Sequence, residues 1–394
     1  MNMQIININI ILITFILICI TIIINGNFII DKRQHIIRNR RQSIRIDIVD
    51  IDDDDDDDEN DSEGVNIDVD DDDDNNNDIE YEGKSKLNHS NHFGNIYINL
   101  FLFYDQQLFR RFGHNKQRLF NFIYSITNSV SLSYNNLPMK HLARFYFTIL
   151  DIQLISQTIR IDSDADGEQY RQSFRQYYYR NQTFQQQIYS AAILLTGYNF
   201  RFRRNKTDTQ GLATVGHVAC KRPHESFILV EARSYRTAFI MAHEIGHVLN
   251  MYHDEELQET SCNMNFIMSA TTGPGKTQFS ICSYYQLKEY FNVMDPTTEH
   301  CFRLKTDKFL ARFPCDHSTS DDCKIDSQTL TVNVDEQCRM SLGETFRANI
   351  LNTKLISICT KIQCTNNLVN IYIDPAIENT TCAPNKYCRA GNCL

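Results

Sequence analysis

Not one tryptophan occurs among the 394 residues of this chain, so no module whose core depends on stacked indole rings can be present. Cysteine is nearly missing from the first half. Before Cys220 there is only Cys19, whereas twelve cysteines lie between Cys220 and Cys393. Residues 47–82 hold no lysine or arginine, against seventeen Asp and four Glu. So many like charges with so few apolar side chains cannot collapse, and this tract is expected to be disordered. In the rest of the chain 28 acidic residues face 39 basic ones, so a body of about +11 is hidden under a net charge of −10. There is no Arg-Gly-Asp, which leaves integrin binding unsupported. There is no paired C-x₂-C, which speaks against a zinc ribbon.

Long apolar runs are scarce too, with one exception at 10–24, followed by Gly26. This reads as a secretory signal peptide over residues 1–26, although its first residues lack Lys or Arg. A retained membrane anchor is the alternative, and the Lys32, Arg33 and Arg38 that follow would then favour a cytosolic body. The cysteines argue against that: an even twelve suits an oxidising compartment. Sequons at Asn181, Asn205 and Asn379 agree with secretion. The chain is therefore read as secreted and extracellular, with no membrane anchor, no nucleic-acid partner despite its basic body, and a monomeric state. Arg38-Asn39-Arg40-Arg41 has the form of a furin-type processing site, so 27–94 reads as a short pro and acidic segment.

From residue 95 the pattern turns globular. Runs at 97–104, 145–155, 190–196 and 227–231 read as apolar strands, with a further strand at 212–218. Helices are expected at about 107–130, at 166–180, where tyrosine is abundant, and at 234–249. Strands alternating with helices predict an α/β domain, a mostly parallel sheet with flanking helices, over 95–309. Residues 310–394 carry eight cysteines and few apolar runs, the mark of a small disulfide-stapled module.

The most informative stretch is His243-Glu244-Ile245-Gly246-His247-Val248-Leu249-Asn250-Met251-Tyr252-His253-Asp254. On a helix His243 and His247 share a face, roughly 6 Å apart along the axis, so both imidazoles can grip one Zn²⁺. Glu244 then stands beside the metal's open side. His253 completes a three-ligand set only if the helix ends and the chain turns back. Asn250 lies at that turn and is the best non-glycine residue for a left-handed conformation. Three protein ligands leave one position for water, as a catalytic zinc requires.

This run resembles the metzincin signature, and its form with Asn in the turn and Asp after the third His is similar to the ADAMTS family (a disintegrin and metalloproteinase with thrombospondin motifs). Phe266-Ile267-Met268-Ser269 resembles that family's Met-turn, Phe279-Ser280-Ile281-Cys282-Ser283 its next helix start, and the cysteine run 379–393 the end of its disintegrin-like, cysteine-rich region. The resemblance spans about 95–394. It implies a metzincin-type zinc protease: His243, His247 and His253 as ligands of one catalytic Zn²⁺, Glu244 as general base, Met268 as the floor beneath the metal, with Asn250 and Asp254 as structural support. It further implies disulfides Cys262–Cys282 and Cys220–Cys301, a substrate-binding edge strand near 211–218, and residues 269–278 bordering the pocket after the cleaved bond. Extracellular and matrix proteins would be the substrates.

The chain departs from the family in three respects. Without tryptophan it cannot carry a thrombospondin repeat. The segment before the catalytic domain has no cysteine to cap the zinc. At the family's calcium site Asn99 and Leu304 stand where carboxylates are expected, so Ca²⁺ binding should be sharply weakened. The rival function is a non-catalytic secreted binding protein on the same scaffold, acting through its cysteine-rich tail. Retention of Glu244, which has no structural task that Gln could not perform, argues for the enzyme.

Overall fold

The computed structural model describes residues 93–394, apart from 156–165, 181–187, 201–209, 221–224, 258–261, 263–264, 315–323, 326–329 and 350–357. The signal peptide, processing site and acidic tract read from the sequence lie outside the described residues, as do Cys315 and Cys323.

Strands β1 (Asn95–Tyr104), β2 (Arg144–Leu154), β3 (Ala191–Thr196), β4 (Gly211–Leu212), β5 (Phe227–Glu231) and β6 (Ala311–Phe313) form one sheet in the order β4-β5-β3-β1-β2-β6. The four central strands run parallel, and the edges β4 and β6 run antiparallel to their neighbours. Alternation along β1 explains why the sheet needs cover on both sides. Ile96, Ile98, Leu100 and Leu102 enter one core, and Phe101 and Phe103 enter the other. Parallel sheets are stable only with both faces buried. Helix α1 (Gln106–Arg111) follows β1; α2 (Lys116–Tyr134) and α4 (Thr237–Val248) contribute to the first core, and α3 (Gly167–Arg180) supplies Tyr170, Phe174 and Tyr178 to the second.

Two local expectations are corrected. The helix read over 107–130 is two helices, α1 and α2, because Gly113 and His114 take positive φ (62° and 57°) and the Asn115 side chain caps a new start by accepting from the Arg118 N–H. Strand β4 is only two residues long, although the apolar pattern ran to 218. Beyond it the backbone bonds to the zinc-motif helix instead of to β5: Gly216 N–H donates to His247 O and Ala219 N–H to Val248 O.

After α5 (Ile281–Asn292) and α6 (Pro296–Arg303), β6 returns to pair with β2 at the far edge of the six-stranded sheet. The tail then forms α7 (Val334–Leu342) and two small antiparallel sheets, β7 (Arg347–Ala348), β8 (Ile362–Thr365), β9 (Asn370–Ile373) and β10 (Thr381–Ala383), β11 (Lys386–Arg389), β12 (Asn392–Cys393). Disulfides Cys338–Cys364, Cys359–Cys388 and Cys382–Cys393 pass through its small core. The described residues form one unit. The module seats on the catalytic body through Glu378, whose N–H donates to Ser129 Oγ (3.1 Å) and whose carboxylate accepts from Asn136 (3.2 Å). It also braces the loop after Met268, where Gly275 N–H donates to Thr360 O (3.0 Å) and the Gln278 amide to Ala390 O (2.8 Å).

Candidate metal centre and active site

Helix α4 is apolar on nearly all sides, and every one of its residues is buried, as expected of a helix passing through a core. Tyr134 of α2 fixes its middle by donating to Ala242 O (3.0 Å). The helix stops at Leu249, and Asn250 takes a φ of 71°, the left-handed turn that carries the chain back toward the helix. Met251 N–H closes the turn on Gly246 O (2.9 Å). His253 is thereby brought against the helical pair. The ring centroids of His243, His247 and His253 lie 4.6, 4.8 and 5.1 Å apart, and one ring nitrogen from each falls within 4.8 Å of the others.

The other ring nitrogens are already engaged. His243 Nδ1 lies 2.7 Å from Ile267 O, His247 Nδ1 2.8 Å from Met251 O, and His253 Nδ1 3.1 Å from Glu256 Oε1. The carbonyl oxygens can only accept, so Nδ1 of His243 and of His247 carries a proton and Nε2 is the nitrogen left for a metal. Burial holds His243 down at about 4 and His247 at about 3, so both are neutral at physiological pH. Three imidazoles with one ring nitrogen of each converging fit Zn²⁺ in type and number. A fourth protein ligand is lacking among the described residues.

Glu244 reaches toward the edge strand β4. It is 5% exposed and pushed up to about 8 by burial, with Arg171 drawing it back down. Gly211 of β4 meets it directly: a β-carbon there would collide with the carboxylate. Met268 is fully buried beneath the helix, and its sulfur occupies the space opposite Gly246. Asp254 is also fully buried. It accepts from the hydroxyls of Ser280 (2.5 Å) and Ser283 (3.4 Å), and its N–H donates to Met268 O (3.0 Å), so the His253 loop is tied to both the Met-turn and the start of α5. Disulfides join Cys262 to Cys282 and Cys220 to Cys301. The first staples the segment ahead of Met268 to α5, and the second holds the segment before β5 to α6.

Several residues that shape this site escaped the reading of the sequence. Gly246 carried a signal, because glycine inside a buried apolar helix costs about 1 kcal/mol relative to alanine and is retained where something packs close. Gly211 and Arg171 carried none, since their roles depend on β4 and α3 meeting α4. Asn99 is buried and its amide donates to Leu304 O (3.1 Å).

The sequence resembles known proteins. The family model of the reprolysin (M12B) zinc metalloproteases matches residues 96–302, more than half of the chain, and that of ADAMTS cysteine-rich domain 2 matches residues 328–394. The chain belongs to the reprolysin family of zinc metalloproteases. Its tail places it among the ADAMTS-type members. Similar relatives include the disintegrin and metalloproteinase with thrombospondin motifs adt-1 of Caenorhabditis elegans, 30% identical over 209 residues, covering 52% of this chain and 13% of that protein. A disintegrin and metalloproteinase with thrombospondin motifs 8 of Homo sapiens is 26% identical over 234 residues, covering 52% and 23%. Among solved structures, metalloproteinase-II from Bacteroides fragilis aligns with a TM-score of 0.36 at 17% identity, over 50% of this chain and 53% of that one. The chain thus corresponds to a quarter or less of the length of these two relatives. No described helix is long and apolar enough to cross a membrane.

Proposed function

We propose that the chain is a secreted zinc-dependent metalloendopeptidase that cleaves extracellular or matrix proteins. The observation that carries this reading is the convergence of one ring nitrogen from each of three histidines within 4.8 Å, with the buried Glu244 carboxylate against strand β4. His243, His247 and His253 would hold one Zn²⁺, which when bound supplies a Lewis acid for the scissile carbonyl and lowers the pKa of water. Glu244 accepts the proton of the attacking water and returns it to the leaving amine, a shuttle worth roughly 10²–10⁴-fold. No side chain need act as a covalent nucleophile. Strand β4, kept at van der Waals range of Glu244 by Gly211, offers its backbone to an extended peptide.

Asn250 sets the turn that brings in the third ligand, Met268 floors the site, and Asp254 holds the loop. Secretion is supported by the apolar leader and by five disulfides among the described residues, which belong to an oxidising compartment. The Asn99 amide bonded to Leu304 O supports a protein that manages without Ca²⁺ at that position. Incubating the purified protein with denatured matrix proteins, with and without a zinc chelator, and mapping new N-termini tests the proposal. Chelator-sensitive cleavage is the expected result. Intact substrate under every condition would instead favour a binding protein.

A further inference from the structure

Four large apolar side chains stand exposed within five consecutive positions of the tail module: Leu368 (89%), Val369 (49%), Ile371 (38%) and Tyr372 (53%). No other stretch of that length among the described residues holds more than two. Leu368 and Val369 form the tip of the β8–β9 hairpin, and Ile371 and Tyr372 lie on β9, the outer strand of its sheet. Ile371 pairs with Cys364 and Tyr372 with Gln363. Neighbouring strand residues point to opposite faces, so the end of the hairpin is apolar on both sides.

The amides of this tip are satisfied from within. The Asn366 side chain accepts from the N–H groups of Leu368 (3.0 Å) and Val369 (3.0 Å), and Thr365 Oγ1 accepts from Asn367 N–H (3.1 Å). Asn366 N–H donates to Val369 O (3.4 Å), which also accepts from the Thr365 hydroxyl (3.1 Å). Every N–H of residues 366–369 therefore has an acceptor inside the hairpin. A segment that leaves water for hydrocarbon must bring such partners with it, because hydrocarbon offers none.

The charge around the tip has one sign. Residues 361–373 contain no Asp or Glu, and Asp374, which follows, is held by Arg236 at 2.8 Å. Arg347 donates to Asn367 Oδ1 (2.8 Å), and the Lys361 ammonium lies over the Tyr372 ring at 4.7 Å. Neither cation forms an ion pair among the described residues. A strand rises about 3.4 Å per residue, so the Tyr372 ring and its ammonium stand about 10 Å behind Val369. The polar layer of a bilayer leaflet is roughly 5–8 Å deep. With Leu368 and Val369 at the acyl boundary, Lys361 meets the phosphates, Tyr372 lies at headgroup depth, and the long Arg347 side chain can turn its charge to the same level.

We propose that the β8–β9 hairpin is a membrane-docking tip, which lays Leu368 and Val369 into an anionic phospholipid surface and sets Arg347 and Lys361 against its phosphates. It rests on the bilayer without spanning it. A second copy of the chain offers only another convex tip, which covers one face and brings like charges together. A folded protein would need a cleft enclosing both faces, whereas a fluid bilayer closes around them. Docking requires no proteolysis, and its test reads none.

Because the chain contains no tryptophan, Leu368→Trp places a single indole at the tip and keeps it apolar. The full chain with this change is titrated with vesicles of phosphatidylcholine, alone or with about one-third phosphatidylserine, and its emission is followed. A blue shift and quenching by brominated acyl chains are expected. Affinity for the anionic vesicles should be on the order of tenfold higher at low salt, falling toward the neutral value near about 0.5 M salt. Adding Arg347→Gln and Lys361→Gln should remove that preference, and adding Val369→Ser should weaken binding to both vesicles about tenfold.

Val293→Trp puts the indole at an exposed position of the catalytic body (55%), where no shift is expected. An unshifted tip indole at every lipid concentration would overturn the proposal. So would an equal shift at position 293, the mark of indiscriminate adsorption. A blue shift that needs no lipid and grows with protein concentration would assign the tip to a second copy. A shift caused by soluble matrix proteins and not by vesicles would assign it to a protein partner. Either result overturns membrane docking.

Discussion

Gly246 and Met268 meet so closely that a β-carbon on Gly246 would lie 2.5 Å from the methionine sulfur. Helix α4 and the Met-turn touch at that point. Gly246→Ala must displace either the thioether or the helix, overpacking that costs about 1–3 kcal/mol even though alanine is the better helix former. A lowered melting temperature is expected, together with reduced zinc content by elemental analysis. A melting temperature at or above that of the native protein would show that the thioether moves aside freely.

Glu244→Gln is expected to reduce proteolysis by at least the roughly 10²–10⁴-fold assigned to proton transfer, with zinc content remaining near that of the native protein. The carboxylate reaches toward β4 and is not one of the converging donors. Full activity in this variant would remove Glu244 from the mechanism.

His253→Ala should do the reverse and lower zinc occupancy directly. His253 is the only one of the three rings carried by a loop, and without it two donors remain. Unchanged zinc by elemental analysis would refute its role as a ligand.

Glu378 gives the seam between module and body a pH dependence. It is 2% exposed and pushed up to about 7, first by burial, with Arg389, the Ala390 N–H and Asn136 drawing it back down. The folded state therefore holds a proton that the unfolded chain has released between about pH 4.5 and 7, so stability falls as pH rises through that window and levels off above it. Glu378→Gln should remove a loss on the order of 3 kcal/mol above pH 7 and change little near pH 4. Thermal melts across this range would show the native and variant curves separating as pH rises; parallel curves would mean that the group does not titrate there.

A calcium-selective chelator is expected to leave the melting temperature unchanged, because the Asn99 amide already satisfies Leu304 O. A drop of several degrees, restored by added Ca²⁺, would show that the cation still binds.

The zinc motif was legible because its information is local. His243 and His247 share a face through helical periodicity alone, and Asn250 marks the turn because few other residues tolerate a φ of 71°. The central strands were legible because a parallel sheet covered on both faces demands long apolar runs, as in β1 and β3. Where short-range cues competed with tertiary bonding, the pattern misled. Residues 213–218 look like a strand, yet the Gly216 N–H is spent on the end of α4, and β6 lies in cysteine-rich sequence yet completes the six-stranded sheet. Nothing in the chain's order announced that Gly211 would face Glu244, that Asp254 would find Ser280, or that Arg236 would pair with Asp374. Those partners are 33, 26 and 138 residues apart in sequence and meet only because the sheet, the turn after α4 and the module's disulfides carry them together. The sequence by itself determined the cluster of His243, His247 and His253 and the kind of domain, since each follows from residue type at short spacing. Only the tertiary structure decided which groups surround them, because close packing joins segments with no periodic relation to one another.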